Sequence, residues 1–146
     1  MTPQLDAQWS EVDLDLIHGF ISASYWAQGI SRALMRRAME GSLNYVLRDE
    51  KGALIGYARV ITDRATFAYL CDVFVLEAWR GRGLGDHLIG QVMARPELQG
   101  LRRFTLFTRD AHTLYARHGF KPLATPDRGM EVVRPDVYLQ TSETST

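Results

Sequence analysis

The sequence predicts a single α/β domain, and three observations predict it. The chain has 146 residues, a common size for one domain. Residues 67–76 form a nearly continuous apolar run, rich in Val, Phe and Tyr, which reads as a buried strand. Arg80-Gly81-Arg82-Gly83-Leu84-Gly85 follows, and Leu84, Leu88, Ile89 and Val92 then recur at helical spacing, so a helix opens at the glycines.

The elements follow in order. Residues 4–9 can form an edge strand. Ser10 with Asp13 makes a Ser-x-x-Asp start, a weaker relative of the capping box, and Leu16, Ile17, Phe20 and Ile21 share one face of a helix over 11–24. Tyr25-Trp26-Ala27-Gln28-Gly29 interrupts it. Ser31 is a second N-cap, with Ile30 and Met35 spaced as a hydrophobic staple, and Gly41 ends that helix. Strands over 43–48 and 53–62 flank Asp49-Glu50-Lys51-Gly52, a hairpin turn. Asp63-Arg64 turns the chain into a strand over 66–76. The helix after the glycines ends near Arg95, just before Pro96. Residues 102–108 form the next strand, Asp110 caps a short helix over 111–118, and Gly119 stops it. A last strand lies within 130–139, confined by Pro135 to an edge or a break. The domain then covers residues 1–140, and 141–146 are a frayed polar tail.

The glycine stretch carries the chemistry. Strand, glycine loop and helix start together bind phosphate. Glycine lets the backbone approach, the first helical N–H groups point outward, and the helix dipole adds about half a positive charge. Arg80 and Arg82 add two full charges. The dinucleotide pattern G-x-G-x-x-G fails, because counting from Gly83 the third glycine falls at Leu88. The P-loop pattern fails because no Gly-Lys-Ser/Thr follows. Arg/Gln-x-x-Gly-x-Gly fits, through Arg80, Gly83 and Gly85. With the preceding strand and the following helix, this resembles the pyrophosphate-binding motif of the GNAT superfamily of acyl-CoA N-acyltransferases. The segment 110–120, with Tyr115, Gly119 and Phe120 in a Tyr-x-x-x-Gly-Phe pattern, is similar to the same family.

The resemblance covers residues 14–123. It implies a mixed, mostly antiparallel central sheet flanked by helices. It also implies transfer of an acetyl group from acetyl-CoA to a primary amine of a small molecule or peptide, by direct attack in a ternary complex. The rival is a non-catalytic acyl-CoA-binding module on the same fold. The resemblance assigns the phosphates to Arg80, Arg82, Gly83 and Gly85. It assigns the pantetheine arm to main-chain groups of Phe74 and Val75, and protonation of the departing sulfur to Tyr115. Where relatives carry an asparagine before the short helix, this chain offers Thr108 and Asp110 as cofactor contacts. Asp86, in the first turn of the glycine helix, should point away from a pyrophosphate.

The base is open. Asp72 is the acidic group inside the apolar strand, and simple alternation puts it on one face with Leu70 and Phe74. A buried carboxylate is costly unless paired, so Asp72 is either a base or the partner of an arginine such as Arg59. Glu77, His112 and a chain of water compete for the role. Tyr25 and Trp26, between the first two helices, line an acceptor pocket or close the core. Arg59 can bind an acceptor carboxylate.

Composition narrows the classes. Seventeen basic residues balance seventeen acidic ones, so a nucleic-acid partner is not expected. Cys71 is the single cysteine, which suits a reducing cytoplasm and gives neither a disulfide nor an evident nucleophile. The four histidines form no ligand pattern, so no metal is expected. Met1-Thr2-Pro3-Gln4 lacks the basic and apolar regions of a signal peptide, and no apolar run is long enough for a membrane span. An exposed last strand offers an edge for a homodimer.

Overall fold

A computed structural model of the chain describes residues 2–141. Its elements are β1 (Gln4–Asp6), α1 (Glu11–Ile21), α2 (Arg32–Glu40), β2 (Leu43–Arg48), β3 (Leu54–Thr62), β4 (Phe67–Val75), α3 (Leu84–Met93), β5 (Arg103–Thr105), α4 (His112–Ala116) and α5 (Val137–Thr141). The strands lie in chain order across one sheet. β1 to β4 are antiparallel neighbours, and β5 is parallel to β4. A parallel neighbour needs a crossover, and the glycine loop with α3 is that crossover. The sheet is therefore mixed and mostly antiparallel.

Each face of the sheet holds a core. Tyr45, Leu47, Ile55, Ala58, Val60, Ala68 and Leu70 bury against Leu88, Ile89 and Val92 of α3. Val46, Leu54, Tyr57 and Phe74 bury on the other face against Leu14, Ile17 and Ile21 of α1 and Met35 and Met39 of α2. The strands alternate between these two cores, so both faces are apolar and both are covered.

Local chemistry sets the boundaries. The Ser10 hydroxyl accepts from the Asp13 amide at 3.3 Å, and the Asp13 carboxylate accepts from the Ser10 amide at 2.9 Å, a complete capping box. Ser31 accepts from the Leu34 amide at 3.1 Å, with Ile30 and Met35 both buried beside it. Asp49 accepts from the Lys51 and Ala53 amides and closes the β2–β3 hairpin.

Several expectations are corrected. α1 stops at Ile21, three residues early, because Gly29 at φ 84° folds the connection back and donates to the Ser22 carbonyl. β5 is three residues long, and residues 106–110 leave the sheet. Asp110 does not cap α4. The hydroxyl of Thr108 accepts from the Ala111 amide at 3.1 Å instead. The strand expected within 130–139 does not form. Residues 121–136 are exposed throughout, and α5 follows. Of the tail expected over 141–146, Thr141 ends α5 and the rest lies outside the described residues. Among the described residues no helix is long and apolar enough to cross a membrane.

Arg48 fastens α1 to the sheet. It donates to Asp13 at 2.7 and 3.0 Å and to Asp6 at 2.7 Å, with the Asp13 side chain 4% exposed. Burial acts to raise the Asp13 carboxyl, but the Arg48 guanidinium and the Ser10 amide outweigh it and hold it below the ordinary 3.8. Asp13→Asn should cost about 3 kcal/mol, since Arg48 then loses its buried counter-charge, and should lower Tm by roughly 10 °C. The sign with pH follows from the lowered carboxyl. Its contribution is whole above the unfolded value and is lost as pH falls through the lower folded one, so the gap between wild type and variant should shrink in acid below about pH 4. A gap that stays constant there would remove the ion pair as the cause.

Candidate active site

The site begins with a break in β4. Opposite Tyr57 stands Phe74, and opposite Arg59 stands Cys71, so β4 carries one residue more than β3 across this step. Asp72 takes up the extra residue, with a left-handed φ of 54°. The bulge reverses the alternation. Leu70, before it, buries toward α3, whereas Phe74, after it, buries toward α1 and stacks on Phe20 at 4.0 Å. The single shared face expected for Leu70, Asp72 and Phe74 is therefore corrected.

Pairing between β4 and β5 ends at Tyr69 and Thr105. Beyond that step the strands part, and a cleft of about 550 Å³ opens between them. Tyr25, Trp26, Asp72, Thr108, Asp110 and Tyr115 line it. Those six are drawn from four separate parts of the chain.

Asp72 is clamped. The Trp26 indole N–H donates to one carboxylate oxygen at 2.8 Å, and Arg59 Nε donates to the other at 2.8 Å. Each carboxylate oxygen already has a fixed donor, so the geometry favours the paired reading of Asp72 over the base. Arg59 is committed in the same way, since Nη1 also donates to the Ser42 hydroxyl at 3.0 Å. Burial lowers the tendency of Arg59 to stay charged, yet the Asp72 carboxylate overrides it and holds the group above its ordinary value. Arg59 is not among the residues that line the cleft, and its guanidinium is already paired with Asp72.

Sequence reasoning missed Arg109. Its guanidinium sits 3.8 Å from the centroid of the Tyr25 ring, a cation–π contact at the wall of the cleft. Tyr25 meets Trp26 edge-on at 5.1 Å. The pair is half exposed, so it lines a pocket and does not close the core. No periodicity in the sequence marks Arg109, because it lies in a loop.

Along β4 the cleft leads to the glycines. The Leu76 amide donates to the Ile55 carbonyl at 2.9 Å, so Gly56 and Val75 form the next, non-hydrogen-bonded pair of the ladder. The main-chain groups of Val75 therefore turn away from β3, toward the side where β5 has departed. Those of Phe74 turn toward β3 and pair with Tyr57. Arg80 Nε donates to the Val75 carbonyl at 3.1 Å and ties the loop to the strand end, while Arg82 packs over Trp79 at 4.7 Å. Gly83 caps α3 with φ 73°, a conformation that favours glycine. The first helical bond runs from the His87 amide to the Gly83 carbonyl, which leaves the amides of Leu84, Gly85 and Asp86 unpaired within the helix. Gly85 is different. A Cβ there would meet only Leu114 Cδ2, at an ordinary 3.8 Å, so nothing in the protein itself requires glycine at that position.

Asp86 does point away from the loop. It accepts from Arg117 Nε at 3.1 Å and bonds His118 Nε2 at 2.9 Å, which binds the start of α3 to the end of α4. α4 in turn holds Tyr115 in the wall of the cleft, 9% exposed, with no hydrogen-bond partner for its hydroxyl among the described residues. Burial pushes the phenol up to about 12. Burial likewise pushes the Cys71 thiol up to about 12, so it is not a thiolate near neutral pH. His112 lines the groove on the far side of β5 and not this cleft. Among the described residues no three His, Cys, Asp or Glu side chains gather as a metal site.

Residues 40–122 match the family model described as an acetyltransferase (GNAT) domain. A solved GNAT-family candidate acetyltransferase from Xanthomonas campestris pv. campestris is 47% identical, with 94% of this chain and 97% of that one aligned at a TM-score of 0.89. A candidate acetyltransferase from Deinococcus radiodurans R1 shares the fold at a TM-score of 0.70 and 24% identity, over 92% of this chain and 90% of that one. A curated candidate acetyltransferase of Gibberella zeae is 38% identical over 72 residues, which span 47% of this chain and 40% of the relative's length. With a family model over more than half its length and a near-full-length relative at this identity, the chain belongs to the GNAT acetyltransferase family.

Proposed function

We propose that the chain transfers the acetyl group of acetyl-CoA to a primary amine, with both substrates bound at once. The observation that carries this reading is a set of donors that the β3–β4 ladder and the α3 helix leave unused, with Tyr115 in the wall of the cleft. The Val75 amide lies on the open side of β4, the Leu84, Gly85 and Asp86 amides lie at the start of α3, and the Tyr115 hydroxyl lies in the α4 wall. A loop that needs no glycine at Gly85 for its own packing, yet has one, fits close approach by a ligand phosphate.

Acetyl-CoA supplies an acetyl group activated as a thioester. The amine nitrogen bonds to the acetyl carbon, the carbon–sulfur bond breaks, and the electron pair leaves on sulfur. Tyr115 Oη, still protonated near neutral pH, gives that sulfur its proton and recovers one from solvent. The amine sheds its own proton to water in the open cleft. Asp72 acts by position, holding Trp26 and the bulge in place. Cys71, held as a thiol, gives no support to an acyl-enzyme route. Thr108, Asp110, Tyr25 and Trp26 line the space where the pantetheine end and the acceptor meet.

Acetyl-CoA or CoA at about a hundred times its dissociation constant should stabilise the fold by about 2.7 kcal/mol and raise Tm by several degrees, with NAD giving no shift. Gly85→Ala should keep the melting temperature of the free protein and abolish the shift. Absence of any shift with wild type would sink the reading. Tyr115→Phe should keep the shift and lower thiol release, measured over a panel of primary amines, about a hundredfold. Full activity in that variant would remove Tyr115 as the acid. Binding without thiol release from any amine would favour the non-catalytic module.

Cys71 supplies a separate check. Folded protein at pH 8 should react with iodoacetamide at least about a hundredfold more slowly than a free thiol, and normally once denatured. Labelling of the folded chain at the free-thiol rate would reopen the covalent route.

A further inference from the structure

Arg109 is a charge without a counter-charge in the wall of the cleft. Among the described residues it is the one cation that lines this space, and it makes no hydrogen bond or ion pair there. Its contact is the Tyr25 ring, whose centroid lies 3.8 Å from the guanidinium carbon. A long side chain on a loop keeps its rotamer freedom unless something holds it. Here a series of contacts reaches back to the β4 bulge. Asp72 accepts from the Trp26 indole at 2.8 Å, Trp26 meets Tyr25 edge-on at 5.1 Å, and Tyr25 carries Arg109. The ring attracts the guanidinium through its negative face and occupies none of its N–H donors.

The acids of the cleft do not match this charge. Asp72 is paired with Arg59. Asp110 lines the same wall, follows Arg109 in the chain, and is in no ion pair among the described residues. It lies close enough to Tyr115 to act on it, since burial first, and then Tyr25 and Asp110, push that phenol up to about 12. A cation and an anion one residue apart thus line the space beside Tyr115, and neither is paired with the other.

On the reading proposed above, the cofactor does not account for them. Its phosphates would lie at the glycine loop, where Arg80 and Arg82 stand, and its pantetheine end carries no charge. The acceptor is then the molecule that these charges address. We propose, resting on that reading, that the acceptor is an amino acid or a related primary amine bearing a carboxylate, with the carboxylate held by Arg109 and the amine on the side of Asp110 and Tyr115. A guanidinium takes a carboxylate through two parallel N–H···O bonds. Asp110 attracts the ammonium form in which such an amine arrives, and the amine gives its proton to water before it attacks. The carboxylate takes no part in the bond changes. Trp26, Leu106 and Phe107 line the same cleft and suit an apolar side chain on the acceptor.

Matched acceptors test this: phenylalanine against phenethylamine, tryptophan against tryptamine, and leucine against isopentylamine. Thiol release from acetyl-CoA gives kcat/KM, and calorimetry on protein saturated with CoA gives affinity without turnover. With wild type, at least one amino acid should exceed its decarboxylated partner about tenfold or more in both measures. Arg109→Gln should cut that ratio about tenfold, through KM, and Arg109→Lys, which keeps the charge but not the fork, should keep part of it. Basicity differs within each pair but not between proteins, so the change of ratio isolates Arg109. Tyr25→Ala should lower the ratio as well, and Tyr25→Phe, which keeps the ring, should not. Arg109 is exposed and makes no hydrogen bond among the described residues, so its replacement leaves the core intact. No preference for the amino acid in any pair, by either measure, would overturn the proposal, as would a ratio in Arg109→Gln equal to that of wild type. Thiol release without the preference overturns the carboxylate site and leaves acetyl transfer standing. A preference in calorimetry without thiol release from any amine supports the carboxylate site and sinks acetyl transfer.

Discussion

One residue in an unfavourable conformation sets the shape of the site. Asp72 sits in left-handed backbone, which costs a non-glycine residue about 1–2 kcal/mol. Two charge-assisted hydrogen bonds hold it there, from the Trp26 indole and the Arg59 guanidinium. Arg59 reaches on to Ser42 at the end of α2. The α1–α2 connection, β3, the start of β2 and β4 therefore meet through one carboxylate. The result is a bend in β4 where its pairing with β5 stops. Without the extra residue β4 would continue its ladder on both sides, and the Val75 amide would have less reason to face an open edge.

The bulge also explains why one strand serves two cores. Ala68 and Leu70 pack toward α3, and Phe74 packs toward α1, although plain alternation would keep Leu70 and Phe74 together. The α3 side and the α1–α2 side are thus locked to the same strand on either side of the kink. Asp86 adds a second lock by joining the start of α3 to Arg117 and His118 at the end of α4. The glycine loop and Tyr115 are distant in sequence, yet they sit at two ends of one tied unit. Each of these bonds is exposed and individually weak, so their value lies in register more than in stability.

The parts of this arrangement that were legible in sequence depend on near neighbours. Ser10 with Asp13, Ser31 with Leu34 and the Asp49 turn are bonds within four residues, and their chemistry can be read from spacing alone. The glycine stretch is legible for the same reason. What was not legible depends on residues far apart. A bulge at Asp72 is decided by Trp26, forty-six residues away, and by Arg59, and a strand pattern does not announce which position will slip. The expected cap at Asp110 failed because the helix starts one residue later, with Ala111 in the cap position and no side-chain cap bond. Arg59 carries a charge that sequence cannot tell from a ligand-binding one, and only its burial beside Asp72 shows that the charge is already matched. The strand written into 130–133 has the right residues, but a strand exists only where an edge receives it.

The same distinction bears on how the proposed chemistry would be achieved. The carboxylate buried in the cleft wall, Asp72, is bonded at both oxygens. What the cleft does contain is the Tyr115 phenol, which burial pushes up to about 12, while main-chain amides at the end of β4 and the start of α3 lie further along the same strand and loop. Donors of this kind need no reorganisation when charge appears beside them, and in a partly dry site each is worth more than in water. An amine that reaches the cleft as the free base needs a place to attack and a route to water more than it needs a strong base. On that argument the buried acid of this protein is a structural member. In the proposed reaction its contribution would be the bend that exposes the edge of β4, and selectivity for the acceptor would fall to the groups around the opening, Tyr25, Trp26, Arg109 and Asp110.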